Sequence, residues 1–228
     1  MTAANFSGRL DPGLALIFDM DGVVIDSNPV HRAVWAAFNR RYGLETTEAM
    51  LQGMYGGRND EIVRDFFGED LTNEEVARRG AEKERLFRET IAGRVEQILV
   101  PGLQAFLREY AGARMAVATN AEPENVAVVL DESGIRPYFQ VVVDGHQVRK
   151  PKPDPEIYRL AAERLGVAAA DCIVFEDSKS GVQAARSAGM RIVGLLTTED
   201  NLQDISVSVD NFLDENLRVW LASQRCAS

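Results

Sequence analysis

Five short runs in this chain, at residues 14–18, 115–119, 141–143, 173–175 and 192–196, are apolar at nearly every position. A strand with one face in water alternates apolar and polar residues, because successive side chains point to opposite faces. A run without that alternation has to be covered on both faces, which is the condition of a parallel sheet packed between helices. Helix signals separate the later runs. Pro123 suits a first helical position with Gly134 just past the end, and Ser178 suits the cap of a helix running to about Ala188, closed by Gly189. From Pro101 onward strand and helix alternate, and the pattern predicts an α/β, doubly wound parallel layer.

One stretch departs from the alternation. Between about Pro29 and Val95 no strand pattern occurs, and helical segments are expected at 29–42, 47–54, 60–67 and 73–91. Roughly 70 residues is far longer than a connecting loop. The expectation is an α-helical cap domain over residues 28–97, inserted into a core domain made of residues 1–27 and 98–228. Val30, Val34, Trp35 and Phe38 share one face of the first helix, so Trp35 and Phe38 are expected in the cap's own core.

Composition excludes several classes of partner. Hydrophobic residues are 46% of the 228, enough for a substantial core, and the formal net charge is −10. That charge would be repelled by nucleic acid or an anionic membrane, though a metal and a few cations can invert the field in one cleft. The two cysteines, Cys172 and Cys226, form neither a disulfide framework nor a CxxC site. No apolar stretch approaches the roughly 18 residues of a membrane span, and residues 1–9 carry no leader-like apolar region. A soluble cytoplasmic protein, monomer or weak dimer, is expected.

The ends of the runs carry the chemistry. The first leads into Asp19-Met20-Asp21-Gly22 and the fourth into Glu176-Asp177-Ser178. Open α/β sheets bind ligands at the carboxyl ends of their strands, so these acids would converge on one crevice. A calcium loop fits poorly, because the preceding segment is strand-like and no Glu stands at the twelfth position. Four acids in one crevice repel one another unless a cation sits among them, and oxygen donors without His or Cys select magnesium. Thr119-Asn120 ends the second run just before a helix start, where a hydroxyl and free N–H groups would face an anion. Lys150-Pro151-Lys152-Pro153 places a lysine in a restrained turn before another helix, and either Lys could serve there.

In this order Asp19/Asp21, Thr119, Lys152 and Glu176/Asp177 resemble the four motifs of the haloacid dehalogenase superfamily. The strings FDMDGVVIDS, KPDPEIY and FEDSKSGVQAARSAGM are similar to its helical-cap branch, which includes sugar-phosphate phosphatases and β-phosphoglucomutases. The resemblance implies a Rossmann-like sheet of order 3-2-1-4-5 and prefers Lys152 over Lys150. It further implies Asp19 as the nucleophile carrying a phosphoryl group, Asp21 as general acid and base, and Thr119 and Asn120 holding the transferring group. Lys152 would neutralise that group, and Mg2+ would be held by Asp19, Asp21, Asp177 and Glu176, with Glu176 orienting either metal-bound water or Lys152. In the cap, His31, Arg58 and Lys83 stand at spacings similar to substrate-handling residues of the mutases. The expected function is a magnesium-dependent phosphatase acting on a small phosphorylated metabolite such as a sugar phosphate. A phosphosugar mutase is the alternative, and a non-catalytic metal- or ligand-binding regulator the third reading.

Overall fold

The computed structural model describes residues 10–55 and 57–226; residues 1–9, the segment searched above for a leader, lie outside them. The elements run β1 (Ala15–Phe18), α1 (Asn28–Arg41), α2 (Glu48–Gly53), α3 (Asn59–Phe67), α4 (Asn73–Ile91), α5 (Leu103–Glu109), β2 (Arg114–Ala118), α6 (Pro123–Glu132), β3 (Val141–Val143), α7 (Glu156–Leu165), β4 (Cys172–Glu176), α8 (Lys179–Ser187), β5 (Arg191–Leu195), β6 (Val207–Val209) and α9 (Glu215–Ser223). All strand pairings are parallel, in the order β3-β2-β1-β4-β5-β6. The expected order 3-2-1-4-5 is therefore present with one strand added at the edge. That strand is the three residues Val-Ser-Val, in which the exposed Ser208 breaks the apolar run that marks the equally short β3.

The runs lack polar alternation for the reason anticipated. Leu14, Leu16 and Phe18 enter a core on one face of the sheet with Phe106, Phe139, Phe175 and Phe212. Ala15 and Ile17 enter a second core on the other face with Val174, Ile157, Tyr158 and Ala185. Central β1 is flanked by β2 and β4, and in register Phe18 stands opposite both Val117 and Phe175. The next residues on β1 and β4 are thus Asp19 and Glu176, delivered side by side at one sheet edge. The order of strands reverses at this point, which opens a crevice there.

Helices α1–α4 form a helical cap with an apolar cluster of its own, Trp35, Phe38, Met54, Ile62, Val63 and Val76. Helix α4 begins at a capping box: the Thr72 hydroxyl accepts from Glu75 N at 3.2 Å, and the Glu75 carboxylate accepts from Thr72 N at 3.1 Å. The helix occupies 73–91, as the sequence predicts.

Phe18 is the pin of the first core. Its ring stacks on Phe175 at 4.6 Å between centroids and meets Phe139 edge-on at 5.7 Å. Phe18→Ala is expected to lower unfolding free energy by about 3–5 kcal/mol, read from the denaturant midpoint at unchanged slope.

Candidate active site

Asp19 leaves β1 with its N–H donated to the Phe175 carbonyl at 3.0 Å, so its direction is fixed by the sheet itself. The chain then turns at Gly22, which has φ +74°. A Cβ at Gly22 would lie 1.7 Å from Asp177 Oδ2, so only glycine allows the two acidic strand ends to approach this closely. Carboxylate oxygens of Asp19, Glu176 and Asp177 come within 4.8 Å of one another, all three residues buried.

Glu176 is fully engaged. Its Oε1 accepts from Lys152 Nζ at 2.7 Å and Tyr158 Oη at 2.6 Å. Its Oε2 accepts from the N–H groups of Asp177 at 3.0 Å and Ser178 at 3.1 Å, and from the Ser178 hydroxyl at 3.0 Å. Gly181 makes the room: a Cβ there would sit 1.7 Å from Glu176 Oε1. Burial opposes ionisation of Glu176, yet the Lys152 charge and these hydrogen bonds outweigh it and hold the carboxyl below its ordinary value.

Lys152 is buried and bridges two strands, its Nζ also 2.9 Å from Asp19 Oδ1. Burial works against the ammonium, but Asp19 and Glu176 prevail and keep its pKa above the usual lysine value. The backbone N–H of Lys152 donates to Asn120 Oδ1 at 3.2 Å, tying the lysine turn to the end of β2. Lys150 instead faces solvent, with Asp154 3.9 Å away. The geometry therefore brings Lys152, and not Lys150, to the acids.

The remaining acids respond to their surroundings in opposite senses. Burial pushes the Asp19 carboxyl up to about 7, against the pull of Lys152 and with the push of Glu176 and Asp21. Burial likewise raises Asp177 well above its ordinary value, reinforced by Glu176 and Asp19. Asp19 Oδ1, despite the nearby ammonium, receives no well-directed hydrogen bond. Two buried carboxylates that resist ionisation, one with an orphaned oxygen, form a donor set that a cation would complete. Asp21 differs. Burial opposes its ionisation, but the hydrogen bond from His31, then that from Ser27 and the Lys83 charge, hold its pKa low.

His31 Nε2 lies 3.3 Å from Asp21 Oδ1, and Ser27 Oγ donates to the same oxygen at 2.6 Å. Lys83 Nζ stands 3.0 Å from His31 Nδ1. An ammonium only donates, so Nδ1 must accept and the ring proton sits on Nε2, facing Asp21. Phe87 stacks on the imidazole at 4.1 Å and fixes its plane.

A cavity of about 260 Å³ joins these groups and is lined by Asp19, Asp21, Thr119, Asn120 and Lys152 from the sheet edge and by His31, Arg58 and Lys83 from the helices above. Trp35, expected in the cap core, is buried there and also lines the cavity. Several participants escaped the sequence reading. Tyr158 lies within the string KPDPEIY but carries no titratable signal at neutral pH. Thr197 and Thr198 follow β5, where the strand-end rule could have found them; Thr197 Oγ1 donates to the Gly22 carbonyl at 2.6 Å and Thr198 Oγ1 donates to Asp177. Glu84 lies one turn from both Gly80 and Phe87 on the buried face of α4, a placement that flags an acid as internal.

A family model described as haloacid dehalogenase-like hydrolase matches residues 14–189. Fructose-1-phosphate phosphatase YqaB of Escherichia coli is 37% identical over 182 residues, covering 78% of this chain and 94% of that protein. A phosphorylated carbohydrates phosphatase of Thermotoga maritima is 35% identical over 189 residues, covering 80% of this chain and 85% of its own. In fold, the crystal structure of β-phosphoglucomutase from Clostridium difficile superposes with a TM-score of 0.81 at 24% identity, over 91% of this chain and 96% of that one. By its strand order, its acidic strand ends and these likenesses, the chain belongs to the haloacid dehalogenase-like hydrolase family.

Proposed function

We propose that this protein is a magnesium-dependent phosphatase that hydrolyses a small sugar phosphate through a covalent aspartyl phosphate on Asp19. The observation that carries the reading is the position of Asp19: a fixed strand-end carboxylate between Lys152 and Asp177, lining a cavity that Asp21, two residues on, lines as well. Similarity to two phosphatases of phosphorylated carbohydrates supports the substrate class.

Asp19 attacks phosphorus and holds the phosphoryl group as an acyl phosphate. Asp21, aligned by His31 and Ser27, must first take up a proton against the contacts that keep it ionised; it then gives that proton to the departing sugar oxygen and recovers one from the incoming water. Thr119 and Asn120 line the transferring group, and Lys152 sets a positive charge beside it. Asp19 and Asp177, with Asp21 at the same turn, would hold Mg2+, which when bound lowers the repulsion between the carboxylate and the phosphate dianion. Glu176, its oxygens already engaged, positions Lys152 rather than the metal. The strongly acidic chain needs such a local inversion of field before any phosphate ester can enter. Among the described residues no helix is long and apolar enough to cross a membrane.

A panel of sugar phosphates with magnesium tests the reading through release of inorganic phosphate. Turnover is expected on hexose or pentose phosphates, lost on chelation and restored by added Mg2+. Asp19→Asn is expected to cut kcat by at least about a thousandfold with the fold intact. Undiminished turnover by that variant would refute the nucleophile. Conversion of a hexose 1-phosphate into its 6-phosphate without free phosphate would assign a mutase instead. Glu176→Gln, which removes the charge that steadies Lys152, is expected to lower kcat by roughly ten- to a hundredfold.

A further inference from the structure

Two neighbouring residues at the junction of core and cap each reach an acidic strand end. Ser27 donates to Asp21 Oδ1 at 2.6 Å. Asn28, the first residue of α1, reaches across to the loop that follows β5. Its Nδ2 donates to Thr198 Oγ1 at 2.5 Å, and Thr198 Oγ1 donates in turn to Asp177 Oδ2. The proton transfers and the attack of Asp19 require neither Asn28 nor Thr198.

A threonine hydroxyl carries one proton and can turn it toward any acceptor in reach. At Thr198 the two partners fix its direction. The Asn28 amide nitrogen only donates, so it occupies a lone pair of Oγ1 and leaves the hydroxyl proton for Asp177. Thr197 cannot stand in for it. Thr197 Oγ1 lies 3.5 Å from Asp177 Oδ2, but its single proton goes to the Gly22 carbonyl at 2.6 Å. Both ends of the relay are tied down. Next to Thr198, Glu199 accepts from Lys179 Nζ at 2.7 Å. Just before Asn28, the Asp26 N–H donates to the Ile98 carbonyl at 2.7 Å, which pairs the two linkers that lead into and out of the cap.

A carboxylate takes a cation best when its plane is fixed before the ion arrives, and hydrogen bonds to the ligand do that fixing. The Thr198 bond falls on Oδ2 of Asp177 and leaves the lone pairs of Oδ1 for an ion. We propose that Thr198 is a positioning residue for Mg2+ at Asp177, and that Asn28 sets Thr198, so the first linker of the cap takes part in holding the metal. The inference rests on the reading of Asp19 and Asp177 as Mg2+ ligands and deepens it by assigning what orients Asp177. It also makes the seat of α1 and the hold on the metal interdependent. Displacing Asn28 frees the Thr198 proton to turn away from Asp177.

The rise of the thermal unfolding midpoint across a Mg2+ titration, without substrate, reports metal affinity independently of turnover. Asp177→Asn is expected to abolish the rise, which assigns it to this centre. Thr198→Val keeps the shape but loses the hydroxyl, and is expected to raise the half-saturating Mg2+ concentration at least about tenfold. Thr198→Ser restores the hydroxyl and is expected to stay within about threefold of the native protein. Asn28→Ala is expected to weaken Mg2+ at least about threefold, and to add nothing in a Thr198→Val background, because it acts through that hydroxyl. Midpoints measured without Mg2+ check the fold of each variant, and Asn28→Ala alone carries the test should Thr198→Val misfold. Thr198→Val or Asn28→Ala binding Mg2+ within about twofold of native, Thr198→Ser as weak as Thr198→Val, or additive losses in the double variant would overturn this inference and leave the hydrolase reading standing. Native protein without a Mg2+-dependent rise, or a rise that survives Asp177→Asn, would overturn the metal reading together with it.

Discussion

A lysine ammonium held between two buried carboxylates is the interaction on which this site depends. Lys152 comes from the turn before α7, Asp19 from the end of β1 and Glu176 from the end of β4, so one charge joins three separate parts of the sheet edge. Burying any of the three alone would be costly. Together they compensate, and removing one partner from such a buried arrangement typically costs about 3–5 kcal/mol. Tyr158 and the N–H groups of Asp177 and Ser178 complete the shell, leaving Glu176 no free lone pair to bind elsewhere. The same economy leaves Asp19 Oδ1 and Asp177 under-compensated, and a divalent ion would relieve both.

The helices above the sheet extend this electrostatic arrangement toward the substrate. From Asp21 a continuous chain of contacts runs through His31 and Lys83 to Glu84, then through Asn125 to Arg88. Asn125 belongs to α6 of the core while Glu84 belongs to α4, so the proton-handling end of the cavity and the cap share one polar network. A shift of α4 would therefore alter both the tautomer set on His31 and the tie between α4 and α6. The contacts that orient His31 and those that tie α4 to α6 thus meet at one buried carboxylate, Glu84.

Much of this was legible in the sequence because it is local. Strands covered on both faces announce themselves as unbroken apolar runs, and the acids that follow them inherit their placement from the sheet, as at Asp19 and Glu176. The Pro-rich turn identified a lysine but left two choices. Only the burial of Lys152 and the exposure of Lys150 decide between them. What stayed hidden depends on side chains meeting across the fold. Glu84 reads as one more acid in a charged helix, and its role follows from Asn59 and Asn125, distant in sequence. Strand β6 offers no unbroken apolar run because Ser208 interrupts it, and the tie of Thr198 to Asp177 exists only once the sheet brings the two strand ends together.

The central claim is that the phosphoryl group resides on Asp19 between two half-reactions, and trapping that species tests it most directly. Asp21→Asn protein, incubated with p-nitrophenyl phosphate and magnesium and quenched in acid, should accumulate the acyl phosphate. A good leaving group needs no proton from residue 21, whereas the hydrolytic step does need its base. Peptide mass spectrometry should then find a phosphoryl increment on the peptide containing Asp19 that hydroxylamine removes. A phosphoryl group on any other residue, or release of nitrophenolate with no protein adduct at any quench time, would contradict the account.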